Sequence, residues 1–272
     1  MRVISLPEAA PRPRRVAVGE FDGVHLGHRE VIRGADTVLT FDPHPRAVVA
    51  PEAAPKLLTS LAVKADLVAG LGVQELVVIA FDERFARQQP QDFIDRVLVG
   101  RLGATWISVG ENFRFGHKAS GDTALLAAHE RFETRVARLV EVDGEIVSSS
   151  RLRGLVLAGD VEQAARFLGA PFELRGEVVH GDARGRGLGY PTANLVPDDA
   201  LVCPGNGVYA CLASVGPDGP GLPAAVNVGV RPMFVTGRGV LIEAFLLDFD
   251  EDLYGARAAS ALLATAACRT PL

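Results

Sequence analysis

The segment from Val16 to His28 constrains the fold of this chain more than any other, because it joins a short apolar run to a glycine-rich loop with two histidines. Val16 to Val18 predicts a buried strand, and the following GEFDGVHLGH string predicts a loop that leads into a helix. Free backbone N–H groups and the positive end of a helix dipole meet at such a junction. The segment therefore predicts a phosphate-binding strand, loop and helix.

The residue types of this loop suit nucleotide chemistry. Gly23 and Gly27 would let a phosphate approach the backbone closely, and His25 and His28 could donate hydrogen bonds to charge that grows as an α-phosphate is attacked. A pair of solvated or structural histidines is the alternative interpretation. Zinc is disfavoured, because no third histidine or carboxylate stands at a typical ligand spacing.

Length and composition bound the class of protein. The 272 residues, of which 48% are hydrophobic, permit one large or two modest domains, and we expect two. A formal net charge of -5 disfavours nucleic acid as a partner, and no apolar run of about 18 residues predicts a membrane span. Three cysteines without a CxxC pair, and an N-terminus without a signal-peptide pattern, predict a cytoplasmic protein. We expect a monomer or a weak homo-oligomer that binds small molecules.

Amphipathic helices alternate with apolar strands from Leu61 onward. Helices are predicted over 61–71, 90–102 and 123–131, and strands over 76–81, 106–109 and 136–142. This alternation is typical of a parallel sheet covered by helices on both faces, with ligands at the carboxyl ends of the strands. The predicted fold class of this part is α/β.

Two further polar segments lie in this part of the chain. Asn112, Phe113, Arg114 and Phe115 follow a predicted strand, where two aromatic faces beside polar groups could hold a planar ring. A loop packed by its own phenylalanines explains the same composition. The later segment with Ser149, Ser150 and Arg153 combines helix-capping hydroxyls with a phosphate-binding guanidinium, although capping alone explains it.

The helical pattern ends at Gly169, after a helix predicted over 160–168, so we place a domain boundary there, with domains 1–169 and 170–272. Beyond it, short β runs separated by Gly, Pro and Asp predict a smaller antiparallel barrel. Thr192 and Asn194 carry oxygens two residues apart and could share Mg²⁺ with nucleotide phosphates. A glycine-rich turn is the plainer interpretation of the preceding basic loop.

Together these motifs resemble the bacterial bifunctional riboflavin kinase/FMN adenylyltransferases, also called FAD synthetases, over Val16 to about Gly255. GEFDGVHLGH is similar to the HxGH signature of the nucleotidyltransferase superfamily, SSSRLR to the facing ISSTxIR signature, and GYPTAN to the G-x-PTAN signature of riboflavin kinases. The resemblance implies a Rossmann-like module that transfers adenylate from ATP to FMN. It also implies a β-barrel module that phosphorylates riboflavin.

The resemblance assigns roles to individual residues. The catalytic residues implied are His25 and His28 for adenylyl transfer and Glu243 as general base toward the ribityl hydroxyl. The nucleotide-binding residues implied are Gly19, Phe21, Gly23, Gly27, Ser149, Ser150 and Arg153. The flavin-binding residues implied are Asn112, Phe113, Arg114 and Phe115, and the Mg²⁺ ligands are Thr192 and Asn194.

Some positions depart from the family pattern. Met233 and Phe245 stand where threonine and histidine are usual, and the helix after His28 is predicted to be short. The Ala256 to Leu272 segment is alanine-rich and lacks strand alternation, so we expect a barrel without its closing strand and an impaired kinase. An adenylyltransferase for another small metabolite and a non-catalytic flavin-binding regulatory protein remain alternatives.

Overall fold

A computed structural model of the chain describes residues 1–179, 192–215, 221–230, 240–247 and 257–265. Contacts divide the chain into two compact units, Met1–Ser149 and Ser150–Leu272. This division precedes the domain boundary predicted at Gly169, because the two intervening helices fall within the second unit and the later one packs on barrel strands. The domain boundary at Gly169 stays a prediction. No helix within the described ranges is long and apolar enough to cross a membrane.

A six-stranded sheet forms the centre of the first unit. Its strands are β1 (Arg2–Ser5), β2 (Arg14–Val18), β3 (Thr37–Asp42), β4 (Glu75–Ala80), β5 (Ala104–Gly110) and β6 (Glu133–Ala137). All neighbours are parallel, in the order β1-β4-β3-β2-β5-β6. The predicted parallel α/β sheet is confirmed. The sequence pattern missed β1, because this edge strand is short and mostly exposed.

Short helices connect these strands. They are α1 (Leu26–Ile32), α2 (Pro45–Val49), α3 (Leu61–Ala69), α4 (Glu83–Ala86), α5 (Pro90–Asp92), which continues as a π-helix over Phe93–Arg101, and α6 (Thr123–Ala127). Side chains of Ser60, Asp82 and Asp122 accept hydrogen bonds from backbone N–H groups at the starts of α3, α4 and α6. A two-stranded hairpin of β7 (Glu141–Val142) and β8 (Glu145–Ile146) ends the unit.

Both faces of the sheet are buried. Val16 of β2 belongs to one hydrophobic cluster and its neighbour Ala17 to the other, and both side chains are 0% exposed. Val38 and Leu39 of β3 divide between the two clusters in the same way. Because successive residues of a strand face opposite sides, this division requires apolar residues at every position. The continuous apolar runs of the sequence have this physical cause.

The strand order reverses at β2, because β3 and β4 follow on one side and β5 and β6 on the other. Val16 pairs with Ile107 and Ala17 with Ser108, so the carboxyl ends of β2 and β5 lie side by side. Ligands of open α/β sheets bind at such a reversal point. The register thus brings together the two loops that carry the predicted phosphate and flavin residues.

A buried ion pair ties two strands of the sheet together. Arg14 on β2 and Glu75 on β4 are each 2% exposed, and Arg14 Nε donates to Glu75 Oε2 over 2.8 Å. The guanidinium also donates to the carbonyl oxygens of Ala10 and Leu102 over 2.8 and 2.7 Å. Both charges are therefore compensated, as burial of ions requires.

The second unit contains a closed antiparallel barrel preceded by α7 (Ser149–Leu157) and α8 (Val161–Leu168). Its strands are β9 (Phe172–Val179), β10 (Thr192–Pro197), β11 (Gly207–Val215), β12 (Leu222–Val230), β13 (Val240–Leu246) and β14 (Arg257–Thr265). Leu195, Tyr209, Val226 and Ile242 are each at most 2% exposed and contribute to its interior. The predicted β-barrel is confirmed.

The expectation that the barrel lacks its closing strand is wrong. Residues 257–265 form β14, which pairs with β11 on one side and β9 on the other. Backbone N–H and C=O groups make these pairings, so a strand forms between two available edges without the side-chain alternation sought in the sequence. The structural basis for expecting an impaired kinase is thereby removed.

We predict that Glu75→Ala destabilises the first unit by about 3–5 kcal/mol, because Arg14 is left as a buried charge without its carboxylate. Urea unfolding followed by fluorescence of Trp106, the single tryptophan, measures the change. Glu83→Ala is the control, because the Glu83–Arg87 pair lies on the surface, and its urea midpoint should not move. Equal midpoints for the two variants would contradict the role given to the buried pair.

Candidate functional site

The two predicted catalytic histidines are held against each other at the start of α1. His25 is the N-cap residue, and its Nδ1 accepts a hydrogen bond from the backbone N–H of His28 over 3.3 Å. The imidazole rings stack with centroids 3.5 Å apart, and the rings of Phe21 and His28 meet edge to face with centroids 5.4 Å apart. The loop therefore presents both histidines as one preorganised pair. From the sequence, only their spacing of three residues indicated that they could act together.

Asp22 holds this loop in a strained conformation. Phe21 and Val24 have φ values of 51° and 40°, which non-glycine residues rarely adopt. The carboxylate of Asp22 accepts hydrogen bonds from the backbone N–H groups of Leu58 and Thr59 over 2.9 and 3.0 Å. The sequence analysis missed this role, although a carboxylate between apolar residues was its visible signal.

A cavity of 260 Å³ lies beside the histidines. Predicted nucleotide-binding and catalytic residues that line it are Gly19, Phe21, His25, Gly27, His28 and Ser149. A Cβ on Gly27 would stand 3.2 Å from the ring of His25, so this position needs glycine for close packing. Ser149 Oγ donates to the carbonyl oxygen of Asp22 over 2.9 Å, which attaches the end of the first unit to the loop.

Ser150 and Arg153 follow on α7, within the second unit. Ser150 is exposed and Arg153 is half-buried. Their predicted part in binding the triphosphate stays a prediction.

A larger cavity of 850 Å³ opens where β3, β4 and β5 end. Its aromatic lining consists of Phe41, Phe81, Phe85, Phe93, Phe113 and Phe115. All four predicted flavin-binding residues, Asn112 to Phe115, line it. Arg114 also lies 3.6 Å from a carboxylate oxygen of Asp122. A cavity of this volume, in which phenylalanine rings stand beside polar and charged side chains, suits a planar heteroaromatic ligand.

The two phenylalanines of the flavin segment have different structural roles. Phe115 is 7% exposed and belongs to the hydrophobic core, with its ring 5.5 Å from that of Phe93. Phe113 is half-buried, stacks on Phe115 with ring centroids 5.6 Å apart, and lines both cavities. Phe113 is thus the more available to a ligand, a distinction that composition did not reveal.

A buried cation and a carboxyl group lie beneath the histidine loop. Lys64 on α3 is 7% exposed, and its Nζ donates to Thr40 Oγ1 over 3.3 Å. Burial lowers the pKa of Lys64, while the carboxyls of Glu20, Asp22 and Asp42 oppose this shift. Burial raises the pKa of Glu20 to about 8, and the charge of Lys64 opposes that rise in part. The sequence analysis assigned no role to either residue.

The predicted kinase residues meet on adjacent barrel strands. Asn194 on β10 pairs in register with Glu243 on β13, which pairs with Asn227 on β12. Residues directly opposite in an antiparallel pair share a face, and their Cβ atoms are about 5 Å apart. Their strand neighbours Leu195, Ile242 and Val226 are buried in the barrel interior, so the polar row lies on the opposite face of the strands, where Asn194 is itself only 7% exposed. The strand register thus brings together three polar residues that lie far apart in the sequence.

Other kinase-related positions are only partly described. The backbone of Thr192 pairs with that of Phe245 at the start of β10. The basic loop before Thr192 and the position of Met233 lie outside the described residues.

Comparisons with known proteins assign different families to the two parts of the chain. A family model described as FAD synthetase matches residues 8–151, and one described as riboflavin kinase matches residues 168–266. A bifunctional riboflavin kinase/FMN adenylyltransferase of Pseudomonas fluorescens is 38% identical, over 88% of this chain and 80% of its own length. The protein of the same name from Escherichia coli K12 is 37% identical over the same shares.

A solved structure is similar along the whole chain. It is the crystal structure of a Streptococcus pneumoniae protein described as a macrolide-efflux protein, with a TM-score of 0.89 and 30% identity, over 100% of this chain and 93% of that one. That description applies to the S. pneumoniae protein. From its two family-model matches and its relatives, the present chain belongs to the family of bifunctional riboflavin kinase/FMN adenylyltransferases.

Proposed function

We propose that FMN binds in the larger cavity of the first unit and that its phosphate reaches the smaller cavity beside His25 and His28. The observation that carries this proposal is that Gly19, Glu20, Asn112 and Phe113 line both cavities. A flavin held by aromatic walls would therefore extend its phosphate toward the histidine pair. Both activities of the family, FMN adenylylation and riboflavin phosphorylation, belong to this chain.

In the adenylyl transfer, a phosphate oxygen of FMN attacks the α-phosphorus of ATP. The new P–O bond completes FAD, and the bond to the β-phosphate breaks to release pyrophosphate. His25 and His28 donate hydrogen bonds to the charge that develops on the α-phosphate, and their stacked rings are already in place before substrate binds. Ser149, Ser150 and Arg153 would bind the remaining phosphates, and the reaction depends on positioning and charge stabilisation.

In the barrel, Glu243 would accept the proton of the ribityl hydroxyl as the hydroxyl oxygen attacks the γ-phosphorus of ATP, and the bond from that phosphorus to the bridging oxygen breaks to release ADP. Asn194, opposite Glu243 on the neighbouring strand, offers an amide oxygen, which is a donor of the kind Mg²⁺ takes. This residue fits the ion, and Thr192 would add a hydroxyl oxygen. Bound Mg²⁺ would neutralise charge on the nucleotide phosphates.

The remaining proposals concern the setting of the enzyme. Domains 1–169 and 170–272 would carry the adenylyltransferase and the kinase. We propose a cytoplasmic monomer or weak homo-oligomer without nucleic-acid partners, supported by the net charge of -5 and the absence of a CxxC pair. The alternatives of a different metabolite adenylyltransferase and of a non-catalytic flavin-binding protein do not account for matches to both family models.

We predict that His28→Ala lowers kcat for FAD formation from FMN and ATP by about 10²- to 10³-fold, because one preorganised donor to the developing charge is lost. FMN affinity should barely change. Pyrophosphate release measures the rate. His129→Ala is the control, because this histidine packs on Phe132 in the same unit and should leave kcat unchanged. A near wild-type kcat for His28→Ala would make the histidine loop structural.

We predict that Phe113→Ala weakens FMN binding by about 1–2 kcal/mol, because an aromatic wall of both cavities is removed. ATP affinity and melting temperature should stay close to the wild-type values. Phe115→Ala, by contrast, should lower the melting temperature, because this ring belongs to the core. Flavin fluorescence quenching and thermal unfolding separate the two effects. Unchanged FMN affinity in Phe113→Ala would place the flavin elsewhere.

We predict that the wild-type chain forms FMN from riboflavin and that Glu243→Gln lowers this rate by about 10²- to 10⁴-fold, because the general base is lost. FAD formation from FMN should be unaffected. Chromatography of the products measures both reactions separately. Glu177→Gln, which alters an exposed carboxylate on β9, is the control and should retain kinase turnover. Full kinase turnover in Glu243→Gln would remove this residue from the reaction.

A further inference from the structure

Glu20 occupies the place where the two cavities of the first unit meet. It lines both of them together with Gly19, Asn112 and Phe113, and it is the only ionisable residue of these four. Its side chain is half-buried. The roles assigned above to the histidine pair and to the aromatic cavity leave this carboxyl group without a function.

The Glu20 carboxyl group has no hydrogen bond or ion pair with any residue that the structure describes. Two other buried carboxylates of the unit have partners: Asp22 accepts hydrogen bonds from backbone N–H groups, and Glu75 pairs with Arg14. Lys64 influences Glu20 electrostatically, but its Nζ donates to Thr40. A part-buried carboxyl group without a protein partner points to a ligand as its partner.

The charges around Glu20 decide which ligand group fits. Lys64 on α3 is the cation that acts on it, and Asp22 in the same loop adds a second negative charge. Asp42, at the end of β3, acts on Lys64 as well. An ionised Glu20 would repel an incoming phosphate, whereas its neutral form can donate a hydrogen bond to a phosphate oxygen.

Groups on the walls of the smaller cavity complete this electrostatic setting. His25 and His28 line it from the loop and α1, and Arg138 lines it from the segment after β6. These three side chains favour the arrival of an anion, while Glu20 and Asp22 oppose it. Protonation of Glu20 removes one of the two opposing charges, and its desolvated position makes the proton available near neutral pH.

We propose, on the basis of the FMN site inferred above, that Glu20 binds the phosphate of FMN in its protonated form, as a hydrogen-bond donor at the junction of the two cavities. The proton comes from solvent as the phosphate dianion enters and returns to solvent when the ligand leaves. Apart from this O–H bond, no covalent bond forms or breaks. A protonated carboxylic acid that donates to an anionic ligand is an established way to hold negative charge in an apolar site.

FMN binding should therefore consume protons. With a pKa of about 8, free Glu20 is half-protonated at pH 8, so complete protonation in the complex means uptake of about 0.5 proton per FMN. The FMN phosphate is already a dianion at that pH, since its second pKa is about 6. Because the unbound group loses its proton as pH rises, FMN affinity should fall about tenfold between pH 7 and pH 9.

Isothermal titration calorimetry of the full chain with FMN at pH 8, in buffers of low and high ionisation enthalpy, counts these protons. Wild-type protein should take up about 0.5 proton. Glu20→Gln keeps a donor but cannot titrate, so it should bind FMN at pH 7 within about threefold of wild type and take up none. Glu133→Gln, which alters an exposed carboxylate on β6 that lines neither cavity, should keep the wild-type uptake.

Riboflavin serves as the second ligand, because it lacks the phosphate and should bind without proton uptake. FMN binding to wild type without proton uptake would overturn this proposal alone, as would equal uptake by wild type and Glu20→Gln or by FMN and riboflavin. Absence of FMN binding by the wild-type chain would instead overturn the proposed flavin site. The wild-type pH dependence tests the proposal even if the variant does not fold.

Discussion

The hydrogen bonds that Asp22 accepts from the backbone of Leu58 and Thr59 hold the geometry on which the nucleotidyltransferase site depends. They fix a loop in which Phe21 and Val24 adopt left-handed conformations, each of which costs on the order of 1 kcal/mol or more. This loop delivers His25 to the start of α1, where it caps the helix. The histidine pair is therefore positioned by hydrogen bonds between Asp22 and the backbone of Leu58 and Thr59.

The reversal of strand order at β2 places the segment that follows β5 beside this loop. Because β2 and β5 are adjacent, the histidine loop and the segment from Asn112 to Phe115 open onto connected cavities. One cavity is aromatic and the other contains imidazoles, so a ligand with a flat ring and a phosphate matches both. Glu20 lies between the two cavities. In our proposal the charge of this residue depends on pH, so binding of the FMN phosphate is coupled to uptake of a proton.

In the barrel, strand pairing brings polar residues from distant parts of the chain into one row. Antiparallel pairing places Asn194, Glu243 and Asn227 opposite one another on three strands. Closure by β14 gives β9 and β11 their missing partners, so neither edge of the barrel is open. Closure of the barrel thus depends on main-chain hydrogen bonds and not on the side-chain pattern of its last strand.

Much of this architecture was predictable from the sequence. Continuous apolar strands predicted a parallel sheet, short β runs predicted a barrel, and the histidine loop was recognisable because its residues are contiguous. The conformation of that loop was not, since the partners of Asp22 lie 36 and 37 positions away. Three other features were also not predictable from the sequence: the core role of Phe115, the position of Glu20 between the cavities and the closing strand over 257–265. Local patterns report local periodicity, whereas burial, shared cavities and strand edges arise only when distant segments pack together.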